Sequence, residues 1–160
     1  DASSVRKASA LPSGSGRNAS SLRFSAEEFW GATGTNYVPF GRVVVSSSLP
    51  TAAENIDAPL FIADRAYKIV SIREAHGTAG GAAAAVVIKK CTGTQAASAG
   101  TAVHTGSIDL TATANTVVTP TLSATASDYT LAAGDRLAAD FSGTIGSLAG
   151  TNVTIVLRAL

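Results

Sequence analysis

The residues able to do chemistry are few and far apart. His76 and His104 are the only histidines and Cys91 is the only cysteine. Two imidazoles joined by Asp64 or Asp140 would suit a zinc ion, which takes nitrogen and carboxylate ligands in a tetrahedron. No short-range histidine pair supports that, so both histidines read as structural. Cys91 follows Lys89 and Lys90, and neighbouring cations favour a thiolate. A nucleophile also needs a base, and no Cys-His motif is present. Cys91 therefore reads as a small buried hydrophobe. A single cysteine excludes an internal disulfide and a cysteine-based zinc site. The run Gly77-Thr78-Ala79-Gly80-Gly81 has the glycines of a phosphate loop. It lacks a following Lys-Ser/Thr pair or helix, so it reads as a hairpin loop. Asp135, in Ala133-Gly134-Asp135-Arg136, reads as a turn that starts a strand, with too few oxygens around it for calcium. Asn18-Ala19-Ser20 and Asn152-Val153-Thr154 match the glycosylation pattern. The second lies inside an expected strand, and both read as chance matches. The expectation is a non-enzyme with no metal and no cofactor.

The elements that would position these residues are strands. Short β-branched runs occur at 41–46, 60–63, 67–76, 83–91, 104–110, 116–122, 136–141 and 152–157. Glycine, serine, threonine and asparagine separate them. Residues 67–74 set Tyr67, Ile69, Ser71 and Arg73 against Lys68, Val70, Ile72 and Glu74. That imperfect alternation suits a strand partly buried on both faces. No segment has a capped 3.6-residue apolar period, and residues 123–128 allow one helical turn at most. Regularly spaced short strands argue for an all-β, antiparallel β-sandwich of jelly-roll-like form. The absence of long interposed helices argues against βαβ units.

Composition narrows the function classes. Charged residues are 14% and the net charge is +1, against a usual charged share of about a quarter. Hydrophobic residues are 46%, but alanine alone supplies 31 of the 160 positions. The core is therefore built from small pieces. No apolar run approaches the ~18 residues of a membrane helix. The balanced charge speaks against a nucleic-acid-coating protein.

The N-terminal region differs from the rest. Residues 1–26 are serine-rich, with Arg6, Lys7, Arg17 and Arg23 against Asp1, a net charge of +3 that leaves −2 for the remainder. So few large apolar residues cannot offset the entropy of ordering. The region reads as an extended arm, disordered in isolation, that orders on a partner. It has no apolar stretch of the secretory kind. Residues 27–40 hold the only Trp and two of the five Phe. Gly31, Gly34 and Pro39 break any period there, so an irregular segment is expected. The expected division is an arm over 1–40 and a sandwich over 41–160.

Residues 60–160 resemble a family of small virion proteins, the capsid cement or decoration proteins of tailed phages and cyanophages. The resemblance lies in Ile62-Ala63-Asp64-Arg65-Ala66-Tyr67-Lys68-Ile69-Val70-Ser71-Ile72-Arg73 and in Gly100-Thr101-Ala102-Val103-His104. It is clearest in Tyr129-Thr130-Leu131-Ala132-Ala133-Gly134-Asp135-Arg136-Leu137-Ala138-Ala139-Asp140-Phe141, and Val153-Thr154-Ile155-Val156-Leu157 also fits. It implies a β-sandwich on the outer capsid surface, often a trimer, clamping neighbouring subunits of the major capsid protein. No catalytic residues come with it.

These readings combine into one expectation and one rival. The expectation is a structural protein of a bacteriophage virion whose partners are the major capsid protein and sister subunits of a homotrimer. Neither a membrane nor nucleic acid is an expected partner. Arg6, Lys7, Arg17 and Arg23 would make electrostatic contacts, with Phe24, Phe29 and Trp30 as anchors, since Arg and aromatic residues concentrate interface energy. The rival is a receptor- or glycan-binding module of a phage fibre, with Trp30, Tyr37, Tyr67 and Tyr129 as stacking candidates.

Overall fold

The computed structural model describes the strand segments 22–24, 29–33, 36–39 and 42–49 and all of residues 57–160. Apart from single 3-10 turns at Ala97–Ala99 and Ala126–Tyr129, every regular element among the described residues is a strand. The chain divides into two compact units, Asp1–Phe40 and Gly41–Leu160.

In the first unit β1 (Leu22–Phe24), β2 (Phe29–Thr33) and β3 (Asn36–Pro39) form an antiparallel sheet in that order. Within the segment 27–40, expected to be irregular, residues 29–33 and 36–39 are therefore paired strands. Thr33 pairs with Asn36 at one end of the β2–β3 ladder. Gly31 is paired on both sides, with Leu22 and Val38. Pro39 falls at a strand end, where its missing N–H is tolerated. Residues 1–21 lie outside the described residues.

The second unit is an antiparallel β-sandwich. Its strands are β4 (Arg42–Leu49), β5 (Asp57–Ile62), β6 (Tyr67–Ala75), β7 (Ala85–Cys91), β8 (Thr101–Ala102), β9 (Ile108–Asp109), β10 (Thr130–Leu131), β11 (Arg136–Ser142) and β12 (Thr151–Ala159). One sheet runs β10-β6-β12-β4, and the other β5-β11-β7-β8 with β9 also on β7. Strands alternate their side chains between faces. Ile69, Ile72, Leu131, Ile155 and Leu157 of the first sheet join Val86, Ile88, Leu137, Ala139 and Phe141 of the second in one buried cluster. Burying a Val, Leu, Ile or Phe contributes about 1.5–3 kcal/mol, so these few large residues carry the core that the many alanines cannot.

The imperfect alternation of β6 has a local cause. Leu157 pairs with Ile69 and Val156 with Ser71, so Val70 is an extra residue. Such a bulge shifts the side-chain phase by one. Tyr67 and Ile69 face inward before it, and Ile72 and Glu74 after it. The strand is buried on one face, not on both as its pattern suggests.

Two expected strands shrink to fragments. Of 104–110 only β9 is a strand, and over 116–122 Val118 and Leu122 make single bridges, to Glu74 and His104. Gly106 sits at φ +68 and interrupts the first segment. Pro120, with no N–H, interrupts the second. Gly77–Gly81 is also not a hairpin loop, because β6 and β7 belong to different sheets. Its amides instead bind Ala149, Leu110 and Thr144 carbonyls, which ties the crossing to three other segments.

The turn at 131–136 carries the chain back from β10 to β11, between the sheets. Gly134 takes the left-handed conformation at φ +88. The Asp135 carboxylate accepts the Ala132 N–H at 2.8 Å. Backbone bonds between Ala63 and both Gly134 and Asp135 hold this turn against the end of β5.

Candidate functional site

The most buried polar group is a pair at the end of β6, Glu74 facing inward beside its last residue and His76 just after it. His76 Nδ1 lies 3.1 Å from Glu74 Oε1, and both side chains are wholly inaccessible. His76 Nε2 lies 3.1 Å from the Ala112 carbonyl oxygen. A carbonyl only accepts, so Nε2 carries a hydrogen. One further proton must then lie between Nδ1 and the carboxyl, whichever of the two holds it. The pair is electrically neutral overall in either arrangement. Burial pushes the Glu74 carboxyl above its ordinary range, with His76 opposing. Glu74 Oε2 and the buried Thr151 hydroxyl have no hydrogen-bond partner. The backbones of Glu74 and His76 hold Val118 and Asn115. The pair therefore fastens the 110–118 loop over the end of the sandwich.

His104 is buried elsewhere and does a different job. Its Nε2 accepts the Ile88 N–H at 3.0 Å, standing in for a ladder carbonyl. Burial holds its imidazole below the ordinary range. An unfolded imidazole titrates near ~6.5. Falling pH therefore protonates the unfolded chain first. Stability is full above that value and falls, by up to about 1.4 kcal/mol per pH unit, until the folded imidazole also titrates. In His104→Gln the side-chain oxygen can accept the same amide. Denaturant midpoints at pH 7.5 and 5.5, compared with the parent protein, should show a smaller acid loss; an equal loss would refute the assignment.

The other reactive groups are engaged locally. Asp64 accepts the Tyr67 hydroxyl at 2.5 Å, which holds its carboxyl below the usual range. Asp140 pairs with Lys89 at 2.7 Å. Lys90 donates to the Ser127 and Thr130 carbonyls, and Arg136 to those of Gly93 and Gln95. Cys91 is buried against Ala97 and Ala138. His76, His104, Asp64 and Asp140 thus each have their own partners, and among the described residues no three metal-ligating groups converge. Asn152 is hydrogen-bonded to Ser46 and Ser48 across the β12–β4 ladder. Of the stacking candidates, Tyr67 is buried and Tyr129 lies half-buried under Lys68, so neither is an open platform. Trp30 and Tyr37 occupy positions in β2 and β3.

The arm residues are only partly placed. Arg6, Lys7 and Arg17 lie outside the described residues. Arg23 faces Trp30 and Phe24 faces Phe29 across β1 and β2. The hairpin brings these four into register, which the sequence did not suggest.

The open feature of the sandwich is a sheet edge. An exposed edge presents unpaired N–H and C=O groups, and proteins blunt it with short strands, proline or bulges. The edges at β10, and at β8 and β9, are two residues each. The edge strand β5 carries Pro59 and an irregularity opposite Leu137/Ala138. β4 is eight residues long, pairs regularly with β12, and has neither device. Among the described residues nothing pairs with its other side. Compared with known proteins, the chain matches no family model, no curated protein and no solved structure.

Proposed function

We propose that the protein is a capsid cement or decoration protein of a tailed phage. It binds the outer surface of the major capsid shell as a homotrimer and stabilises the shell without catalysis. The observation that carries this reading is the edge of β4, long, regular and unpaired among the described residues, in a sandwich whose other edges are blunted. Such an edge suits pairing with another subunit, and a closed ring of subunits would cover it. The reading is supported by the reactive side chains, which are spent on internal bonds. Among the described residues no helix is long and apolar enough to cross a membrane.

Light scattering should give about three times the 16.0 kDa of one chain. Ser46→Lys, a charge on the exposed side of β4, should shift the mass toward the monomer while the sandwich stays folded. Deleting residues 1–26 should abolish co-sedimentation with capsids. A parent protein that is monomeric and stays in the supernatant with undecorated capsids would end the proposal.

A further inference from the structure

The charges of the sandwich are segregated. Residues 41–160 hold eight cations and eight acids. Four of the cations have partners: Arg65 lies 3.7 Å from Asp64, Lys89 pairs with Asp140, and Lys90 and Arg136 donate to backbone carbonyls. The other four, Arg42, Lys68, Arg73 and Arg158, share the outward face of the β10-β6-β12-β4 sheet. The register sets Arg158 directly opposite both Arg42 and Lys68. Three cations thus stand in one row, about 4.8 Å from strand to strand. Like charges directly opposite are destabilising. Lys68 has the Tyr129 ring for relief, 5.2 Å away.

No outward position of these four strands holds an acid. The outward residues are Arg42, Val44, Ser46 and Ser48 on β4, with Asn152, Thr154, Val156 and Arg158 on β12. On β6 and β10 they are Lys68, Val70, Ser71, Arg73, Ala75 and Thr130. The row beside the cations is apolar. Val44 pairs with Val156, next to the bulged Val70, and Val44 and Val70 are each 54% exposed.

We infer that this face is the docking surface for an acidic protein surface, which, resting on the reading above, is the capsid shell. The cation row requires carboxylates, and Arg is suited to hold them bidentately. The adjoining valine row requires apolar side chains beside those carboxylates. A nucleic-acid duplex offers phosphates to the cations but only a polar backbone to the valine row, which an acidic protein surface can cover with apolar side chains. A second copy of the face, or residues 1–26 with their net charge of +3, carries the same sign and would be repelled.

The test is co-sedimentation of the full-length chain with undecorated capsids, comparing the parent with Arg42→Glu/Arg158→Glu. Both positions are exposed, and a circular-dichroism melt checks that the variant folds. Binding should weaken about a hundredfold, because opposed like charges cost several kcal/mol at an interface. Val44→Ser/Val70→Ser should weaken it less and without changing its salt dependence. If the parent binds and the charge-reversed protein binds equally well, this inference fails and the decoration reading stands. If the parent does not bind capsids, the decoration reading fails first. Tighter binding of the parent to duplex DNA than to capsids would also overturn the assignment to an acidic protein.

Discussion

Glu74→Ala should cost about 1–3 kcal/mol of folding stability, the penalty of leaving a buried hydrogen-bonding group unsatisfied. The alanine leaves His76 Nδ1 buried with no partner and opens space beside it. It also loosens the fastening of the 110–118 loop, since His76 orients toward Ala112 through the same ring. Glu74→Gln tells where the shared proton lies. An amide N–H can donate to Nδ1 as a protonated carboxyl does, while leaving no charge behind. Because the amide can make the same hydrogen bond to Nδ1 that the carboxyl makes, we expect E74Q to stay within about 1 kcal/mol of the parent at pH 7. A raised carboxyl makes the folded state hold its proton more tightly than the unfolded state. This contribution is full below the unfolded carboxyl value of about 4.3 and is lost as pH rises through the folded value. E74Q should remove that alkaline loss. Urea titrations of the three proteins from pH 5 to 8 decide it. An E74Q loss as large as that of E74A would mean that the pair is held by charge.

Gly143→Ala should be the most damaging of the small substitutions in the loops, at about 3 kcal/mol. Gly143 follows β11 at φ +74. A non-glycine residue there costs about 1–2 kcal/mol in conformational terms alone. Its Cβ would also fall on the Ala83 carbonyl and 2.7 Å from the Ala84 nitrogen. Backbone cannot move aside as a flexible side chain can, so overpacking adds about 1–3 kcal/mol. Gly106→Ala is the internal control. Gly106 has a similar φ of +68, but nothing lies within 4 Å of its Cβ position. It should lose only the conformational part, about 1–2 kcal/mol. Thermal melts of the two variants separate the contributions, and equal losses would show that the crowding at Gly143 is not felt.

These two positions also show where sequence reading stops. Gly143 is one glycine among 15, and nothing in its neighbours announces the backbone of Ala83. Glu74 and His76 are two apart in the strand expected over 67–76, so their sharing of a face was available from the pattern. Their burial was not. It depends on the phase shift at Val70, and that shift exists only because β12 pairs on both sides of an extra residue. The cation row shows the same limit. Arg42, Lys68 and Arg158 are scattered along 117 positions, and only the order β6-β12-β4 makes them neighbours.

What depends on short range could be read from the residues alone. β-branched runs separated by turn residues gave the strands at β4, β5, β6, β7, β11 and β12. Gly134 and Asp135 gave the turn before β11, because left-handed backbone and a self-capping carboxylate are local requirements. Gly31 and Pro39 misled, since strand pairing overrides the local propensity of a glycine paired on both sides and of a proline at a strand end. The tertiary structure decided which edge stayed open, which charges met and which polar groups were buried together. Those follow from strand order and register, and register is set by pairings between residues far apart in the chain.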